Sequence, residues 1–199
     1  KHKTDVFSTQ ISISKGGFSL IPNIATERIV SSNLGNHQRD VQDIFANYSY
    51  DFTRKLNSIL GIRYNGFAND SFILPYFSSL YNFSEKTKLH FLVRSSARQL
   101  SFTELYYNDK ANLGSPDLKY EKATLYETGI KHSFLSLNLF LRDTKDIVDW
   151  IKWNPSDPYK ATNIGDVRFY GCEFGGKKIL YGVETALRYS YTESPEVAD

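Results

Sequence analysis

Residues 39–52 alternate by twos. Ile44, Ala46, Tyr48, Tyr50 and Phe52 fall on one face, and Asp43, Asn47, Ser49 and Asp51 on the other. A period of two with one apolar and one wet side predicts a β-strand bordering an apolar medium on one face only. The pattern returns at 56–65, where Leu60, Ile62 and Tyr64 oppose Asn57, Arg63 and Asn65, and at 72–83, where Phe77, Tyr81 and Phe83 share a face. It continues at 89–97, 124–134, 135–141 and 178–191, and more weakly at 5–14 and 24–33. About ten strands are predicted, nearly all joined to their neighbours, with no long helix. Pro75 interrupts one run and removes a ladder donor, which predicts a bulge or the rim of the sheet. Pro22-Asn23 reads as the close of a connection.

The breakers fall into two alternating sets. Connections near 15–22, 53–55, 84–87, 132–135 and 176–178 form one; those near 33–38, 66–70, 99–120 and 145–163 form the other. In an antiparallel meander the two sets lie at opposite ends, so one end carries tight turns and the other the two longest loops, about 98–120 and 145–163. Short turns on one side and long loops on the other are the asymmetry of an outer-membrane barrel. Several strands reach ten residues or more, beyond the usual five or six and enough for the roughly 9–11 of a tilted spanning strand. Phe52, Phe83, Phe134, Trp150, Trp153, Phe169 and Tyr191 stand near strand ends, as interfacial aromatic girdles do. Periodicity leaves open a soluble all-β fold in which these rings close a core.

Composition narrows the partners. The 199 residues include 14 Tyr and 14 Phe, a β-favouring set, and Lys+Arg 24 against Asp+Glu 22 leaves a charge of only +2. Such a balance with scattered basic residues carries no nucleic-acid footprint and no polybasic membrane arm. The single Cys172 and the dispersed His2, His37, His90 and His132 form no short metal motif. No apolar run reaches the roughly 20 residues of a spanning helix, which leaves a β-barrel as the membrane option. The start at Lys1-His2-Lys3 predicts mature, processed or excised material, and the stop at Ala198-Asp199 reads as a cut through a loop.

Order and spacing in the second half carry more. Arg94-Ser95-Ser96-Ala97-Arg98 leads through Glu104-Leu105-Tyr106 and Gly114-Ser115-Pro116 to Glu121, and Glu127 and Gly129 follow. Asn163-Ile164-Gly165 then precedes Tyr170-Gly171-Cys172-Glu173. This succession resembles the late barrel of TonB-dependent outer-membrane receptors, most closely the vitamin B12 and siderophore group. Arg98 stands where that pattern has Pro, Ser115 where it has Asn, and Cys172 where it has an aliphatic residue. The resemblance covers 94–191 and is architectural before that. It implies an all-β antiparallel meander forming part of a 22-stranded transmembrane barrel in the bacterial outer membrane, with 1–199 as a single partial barrel domain and no plug domain. It further implies uptake of a bulky scarce nutrient, cobalamin or a ferric siderophore. A plug domain, an inner-membrane energy-transducing protein and the lipid bilayer would be partners, with no cofactor and no enzymatic step. The motif residues Glu104, Leu105, Tyr106, Gly114, Pro116, Glu121, Glu127, Gly129, Asn163, Gly165, Gly171 and Glu173 are expected to be structural. Two other readings stand beside it: a soluble antiparallel binding or scaffold protein, and a porin-like or adhesin barrel without active transport.

Candidate chemistry is sparse. Tyr106, Tyr107, Trp150, Trp153 and Tyr159 occupy the two long loops, where rigid aromatic surface suits ligand contact. Glu121, Glu127 and Lys131 lack any accompanying sign of a catalytic cleft. Asp143, Asp146, Asp149 and Asp157 lack the Asp/Asn/Gly/Glu spacing of a calcium loop and read as a solvated loop.

Overall fold

The computed structural model of the protein describes residues 2–68 and 70–194. Its strands are β1 (His2–Gln10), β2 (Ile13–Lys15), β3 (Phe18–Ser31), β4 (Gly35–Thr53), β5 (Leu56–Phe67), β6 (Asp70–Asn82) and β7 (Thr87–Arg98). After a short helix α1 (Phe102–Tyr106) come β8 (Asn112–Leu113), β9 (Glu121–His132), β10 (Leu135–Ile151), β11 (Tyr159–Leu180) and β12 (Val183–Glu193). The sheet order is β1-β3-β4-β5-β6-β7-β9-β10-β11-β12, with β2 on β3 and β8 on β11. The meander of about ten strands expected from the alternation is therefore the observed architecture. Among the described residues no helix is long and apolar enough to cross a membrane.

Register aligns the two faces across the strands. On β4 the outward residues Ala46 and Tyr48 pair with Ile62 and Leu60 of β5, and these with Pro75 and Phe77 of β6. The band continues through Val93 and Phe91 to Tyr126 and Thr128. It passes on to Leu141, Leu139 and Leu137, and from Leu137 ends through Phe174 at Tyr189. The opposite face carries Arg63, Arg94, Glu127, Asn138, Arg142 and Glu173, which border one recess of about 640 Å³. Leu60, Leu139 and Tyr189 are 64%, 50% and 59% exposed. A connected outward band of this kind suits hydrocarbon, and an opposite face that sets these charged groups among Phe45, Leu74, Leu125 and Phe140 suits a lumen.

The longest strands, β4 with 19 residues and β11 with 22, exceed what a bilayer crossing needs. They project past the band, where the outward face turns charged at Lys122, Lys145 and the Asp143–Arg168 pair.

Three boundaries differ from those read in the sequence. The turn expected at 176–178 lies instead at Tyr181-Gly182, both at positive φ, as a two-residue type I′ hairpin turn requires. Gly175 and Gly176 stay in the ladder opposite Ser136 and Leu135. Much of the expected loop 145–163 is strand, because β10 runs to Ile151 and β11 starts at Tyr159. Pro22, read as a connection, sits within β3 opposite Ile44, one step beyond the last β1 rung at Asn23. Pro75 likewise sits one step beyond the first β7 rung at Tyr76. Each proline stands where a neighbouring ladder stops, so its missing N–H costs no rung there.

Side chains deeply buried in the protein gather at the long-loop end. Ile29, Leu34, Phe67, Leu100, Phe102 and Ala161 are among them, with Leu100 only 1% exposed. Ile29, Leu34 and Phe67 are covered there by the connection between β7 and β9, which carries Phe102, Tyr106, Tyr107 and Tyr120.

Candidate functional site

Residues 99–120 form a strap over the inner face at the long-loop end. Its first fixed point is α1. Ser101 caps the helix: its hydroxyl accepts from the Glu104 N–H at 3.1 Å, and the Glu104 carboxylate accepts from the Ser101 N–H at 2.7 Å. This reciprocal capping box satisfies donors that a single-turn helix would leave unpaired. Glu104 also accepts from Arg98, which donates to Glu121 at 2.7 and 2.8 Å. One guanidinium thus joins the end of β7, the helix and the start of β9. Burial works to raise the Glu104 and Glu121 pKa values. Hydrogen bonds from Arg98, from Ser101 to Glu104 and from the Val148 N–H to Glu121 outweigh it and hold both below the usual glutamate value. The same two carboxylates raise the Arg98 pKa.

The strap then crosses to the β3–β4 hairpin. Tyr106 stacks on His37 with ring centroids 3.6 Å apart. Arg39 lies over the Phe102 ring at 4.1 Å, pairs with Glu27 at 2.6 Å and donates to the Leu100 carbonyl. Phe102 packs with Ile29 and Leu34, and the Asn108 N–H donates to the Asn33 carbonyl at 3.0 Å. Between these anchors Tyr120 packs against Phe67 and Phe72, with centroids 5.2 and 5.6 Å away. On the far side β8 pairs in parallel with the start of β11, Asn112 with Tyr159 and Leu113 with Lys160. Tyr107 meets Trp150 edge-on at 6.5 Å.

The motif residues take their places along this strap and the wall behind it. Gly114 lies against the end of α1, its N–H donating to the Tyr107 carbonyl at 2.6 Å; a Cβ there would fall 2.7 Å from the backbone nitrogens of Tyr106 and Tyr107. Leu105 is half-buried, and Pro116 lies in an exposed turn. Asn163 binds both backbone groups of Lys119, at 2.9 and 3.0 Å, and the Asp146 carbonyl at 2.7 Å. Gly165, at φ 118°, faces a register shift at Ile147 beside Asp146, at φ 55°. Asn163 and Gly165 therefore mark a β-bulge and its tether to the strap. Glu127 bonds His90 at 3.1 Å, and Glu173 lines the inner recess. A Cβ on Gly129 would collide with Asn138 and His90, and one on Gly171 with the Phe140 ring and the Tyr191 carbonyl.

The five loop aromatics divide by surroundings. Tyr106 and Tyr107 are packed into the strap's anchor and Trp150 is half-buried beside Tyr107. Trp153 stands 74% exposed at the tip of the β10–β11 hairpin, and Tyr159 is exposed with the Lys152 ammonium 4.4 Å above its ring. The four aspartates are spent separately. Asp143 pairs with Arg168 and Asp146 lies 3.8 Å from Lys119, while Asp149 accepts from the Trp150 N–H and Asp157 binds Asn154. Among the described residues no three metal-ligating groups converge. His37 and Arg39 are the anchor residues that sequence reasoning missed; they lie in an alternating strand some 60 positions before their partners, and no local pattern marks them.

Comparison with known proteins agrees with this geometry. A family profile described as "TonB dependent receptor-like, beta-barrel" matches residues 7–199. No curated protein matches the chain. Among solved structures, the siderophore receptor PirA from Pseudomonas aeruginosa superposes with a TM-score of 0.80 at 12% identity, over 96% of this chain and 40% of that one. A mutant of the ferric enterobactin receptor PfeA from the same species, in complex with enterobactin, gives 0.76 at 12% identity, covering 96% and 36%. The FrpB iron transporter from Neisseria meningitidis gives 0.72 at 13% identity, again 96% and 36%. The chain thus spans between about a third and two fifths of the length of these structures. An outward apolar band, a polar concave face, a helix-capped strap and a profile match over nearly the whole chain have one common reading: the chain belongs to the TonB-dependent receptor β-barrel family of the bacterial outer membrane, whose members are transport proteins and not enzymes.

Proposed function

We propose that this chain is wall and outer loops of a receptor that takes up a ferric siderophore, with the β10–β11 hairpin tip contributing to the cargo site. The observation that carries the reading is the contrast at the long-loop end. Tyr106 and Tyr107 are committed to the strap, whereas Trp153 and Tyr159, with Lys152, present exposed aromatic surface and positive charge on the same hairpin. Flat aromatic faces and a cation suit an anionic chelate carrying aromatic or extended planar groups. An iron chelate is placed ahead of cobalamin because PirA, PfeA and FrpB are named for siderophores or iron. In the whole receptor a plug domain would close the lumen, and an inner-membrane energy-transducing protein would drive passage.

Binding of a ferric catecholate chelate and of cobalamin to the full-length receptor tests this directly, by titration calorimetry. Saturable binding of the iron chelate is expected, weakened about tenfold by Trp153→Ala. Cobalamin binding without chelate binding would sink the cargo assignment. An unchanged chelate affinity in Trp153→Ala would remove the hairpin tip from the site.

A further inference from the structure

The wall has a slot between β6 and β7. Their ladder ends at the Tyr76–Arg94 rung, although β6 continues to Asp70 and β7 to Arg98. On their other sides the same lengths stay paired, residues 70–75 with 62–67 of β5 and residues 95–98 with 121–124 of β9. The two strands therefore part while each stays tied to its other neighbour. Side chains close the gap at the rim, where the Phe72 ring packs on Tyr120 and the Lys122 ammonium lies 5.6 Å from the Phe72 centroid. Below that seal one edge of the slot is Ile73-Leu74-Pro75 and the other is Ser95-Ser96-Ala97.

The slot opens into the inner recess, which Leu74, Ser95 and Ser96 all line. Leu74 and Ser96 face inward, but Ser95 pairs with Thr124 in the outward rows, and their hydroxyls lie 3.3 Å apart. An outward residue on the lining of an inner recess means that the recess reaches through the plane of the wall. Outside, the Ile62–Pro75 rung belongs to the apolar band and Ile73 beyond it is exposed, so the slot lies at the margin of the hydrocarbon. Unpaired ladder groups persist at membrane depth only where protein covers them or they line a polar cavity. Inside, Arg94, Leu125 and Arg142 form one rung across β7, β9 and β10, with Phe45, Leu74 and Phe140 around them. The outer two of these strands run about 10 Å apart. Of the recess carboxylates, Glu127 in the next row bonds His90, and Glu173 lies two rows away opposite Asn138.

We propose that the recess takes a long-chain fatty acid from the membrane through the β6–β7 slot, its carboxylate held between Arg94 and Arg142 and its alkyl chain lying over Leu125 and Leu74 toward the slot. A guanidinium donates two parallel N–H bonds to a carboxylate, and apolar side chains around the pair suit the hydrocarbon that follows it. The unpaired backbone and the two serines give the charged head polar partners on its way through the wall. Three residues on each edge make the slot about 10 Å tall, which favours one alkyl chain over the bulk of a diacyl headgroup. This site is separate from the hairpin tip and does not depend on the cargo bound there.

Photolabelling of the full-length receptor in lipid vesicles tests it, with hexadecanoic acid carrying a mid-chain diazirine as the probe and peptide mass spectrometry as the readout. The expected result is labelling of the inward residues Leu74, Leu125 or Phe140 that saturates and is displaced by unlabelled hexadecanoic acid but not by hexadecanol. Outward Leu139, which any membrane-dissolved probe can reach, is the internal control. Arg94→Gln/Arg142→Gln should lower the inward labelling about tenfold, by removing both charge-assisted partners, and leave Leu139 labelling unchanged. Ser95→Trp, which fills the outer edge of the slot with a side chain suited to the membrane interface, should lower it comparably with both arginines intact. Heat-resistant gel migration reports an intact barrel in each variant. Labelling of Leu139 with the inward residues untouched would overturn the proposal, as would inward labelling that either variant leaves unchanged. Equal labelling of the inward residues by a diacyl phospholipid probe would overturn it too.

Discussion

The imidazole of His37 lies flat on the phenol of Tyr106, with ring centroids 3.6 Å apart and planes 6° from parallel. The His37 Nε2 is also 2.7 Å from the Leu34 carbonyl, so the ring is fixed from its own hairpin before the strap meets it. Tyr106 is thereby a fastening of the strap. Its phenol oxygen contributes nothing to the stack, so Tyr106→Phe is expected to leave the loop protected. Tyr106→Ala removes an aromatic pair worth on the order of 1 kcal/mol. Amides of residues 102–115 should then exchange about fivefold faster in hydrogen–deuterium exchange on the full receptor.

The Arg98 clasp makes a pH prediction with a definite sign. Glu104 and Glu121 are both held below the ordinary value of 4.5. A carboxylate with a lowered folded-state pKa adds stability that is fully present above its unfolded value and lost as pH falls through the folded one. Protection of α1 should therefore be constant from neutral pH down to about 5 and decline below about 4.5. Arg98→Ala leaves two carboxylates without their shared cation and should weaken the strap at every pH above that range, by about 1–2 kcal/mol.

Gly114 presses on the backbone of α1, with no flexible side chain available to yield. Gly114→Ala brings a Cβ to 2.7 Å from two amide nitrogens. The expected cost is about 1–3 kcal/mol, read as a lower midpoint in thermal unfolding of the folded barrel. Ser115→Ala, which leaves the Ser115 N–H bond to the Glu104 carbonyl at 2.8 Å in place, should change little.

Phe77 and Ser78 are adjacent in sequence and opposite in orientation. Phe77 pairs with Leu60 and Val93 in the outward band, and Ser78 with Ile59 and Leu92 on the inner face. Phe77→Arg should cost about 2–4 kcal/mol in lipid, and Ser78→Arg about 1 kcal/mol or less. Denaturant titration in lipid vesicles distinguishes them, and equal costs would contradict the assignment of faces.

The strand framework was legible because alternation is a local signal: Ile44 to Phe52 announces its own faces without reference to any other strand. The position of Pro22 within β3 was not legible, because it depends on where the β1 ladder ends, which is a property of the sheet. The Tyr181-Gly182 turn was obscured by Gly175 and Gly176, which supply an apparent breaker but stay in register beside Ser136 and Leu135. At the site, Glu104, Gly114 and Asn163 were marked only by the resemblance to the receptor family. Their mechanical roles depend on His37, Arg39 and Arg98, whose contacts exist only once the strap has crossed the inner face.

That crossing has a geometric consequence. The strap leaves β7, reaches the β3–β4 hairpin, meets β11 at Tyr159 through β8 and returns past Tyr120 to β9, so it runs as a chord beneath an arc of staves. Hydrogen-bonded ladders set the spacing of staves but leave the arc's radius soft. A chord tied at both ends fixes that radius at the rim. The curvature of this arc at its long-loop end is thus held by side chains on a connecting segment, and opening the chord would relax it while every stave stayed joined to the next.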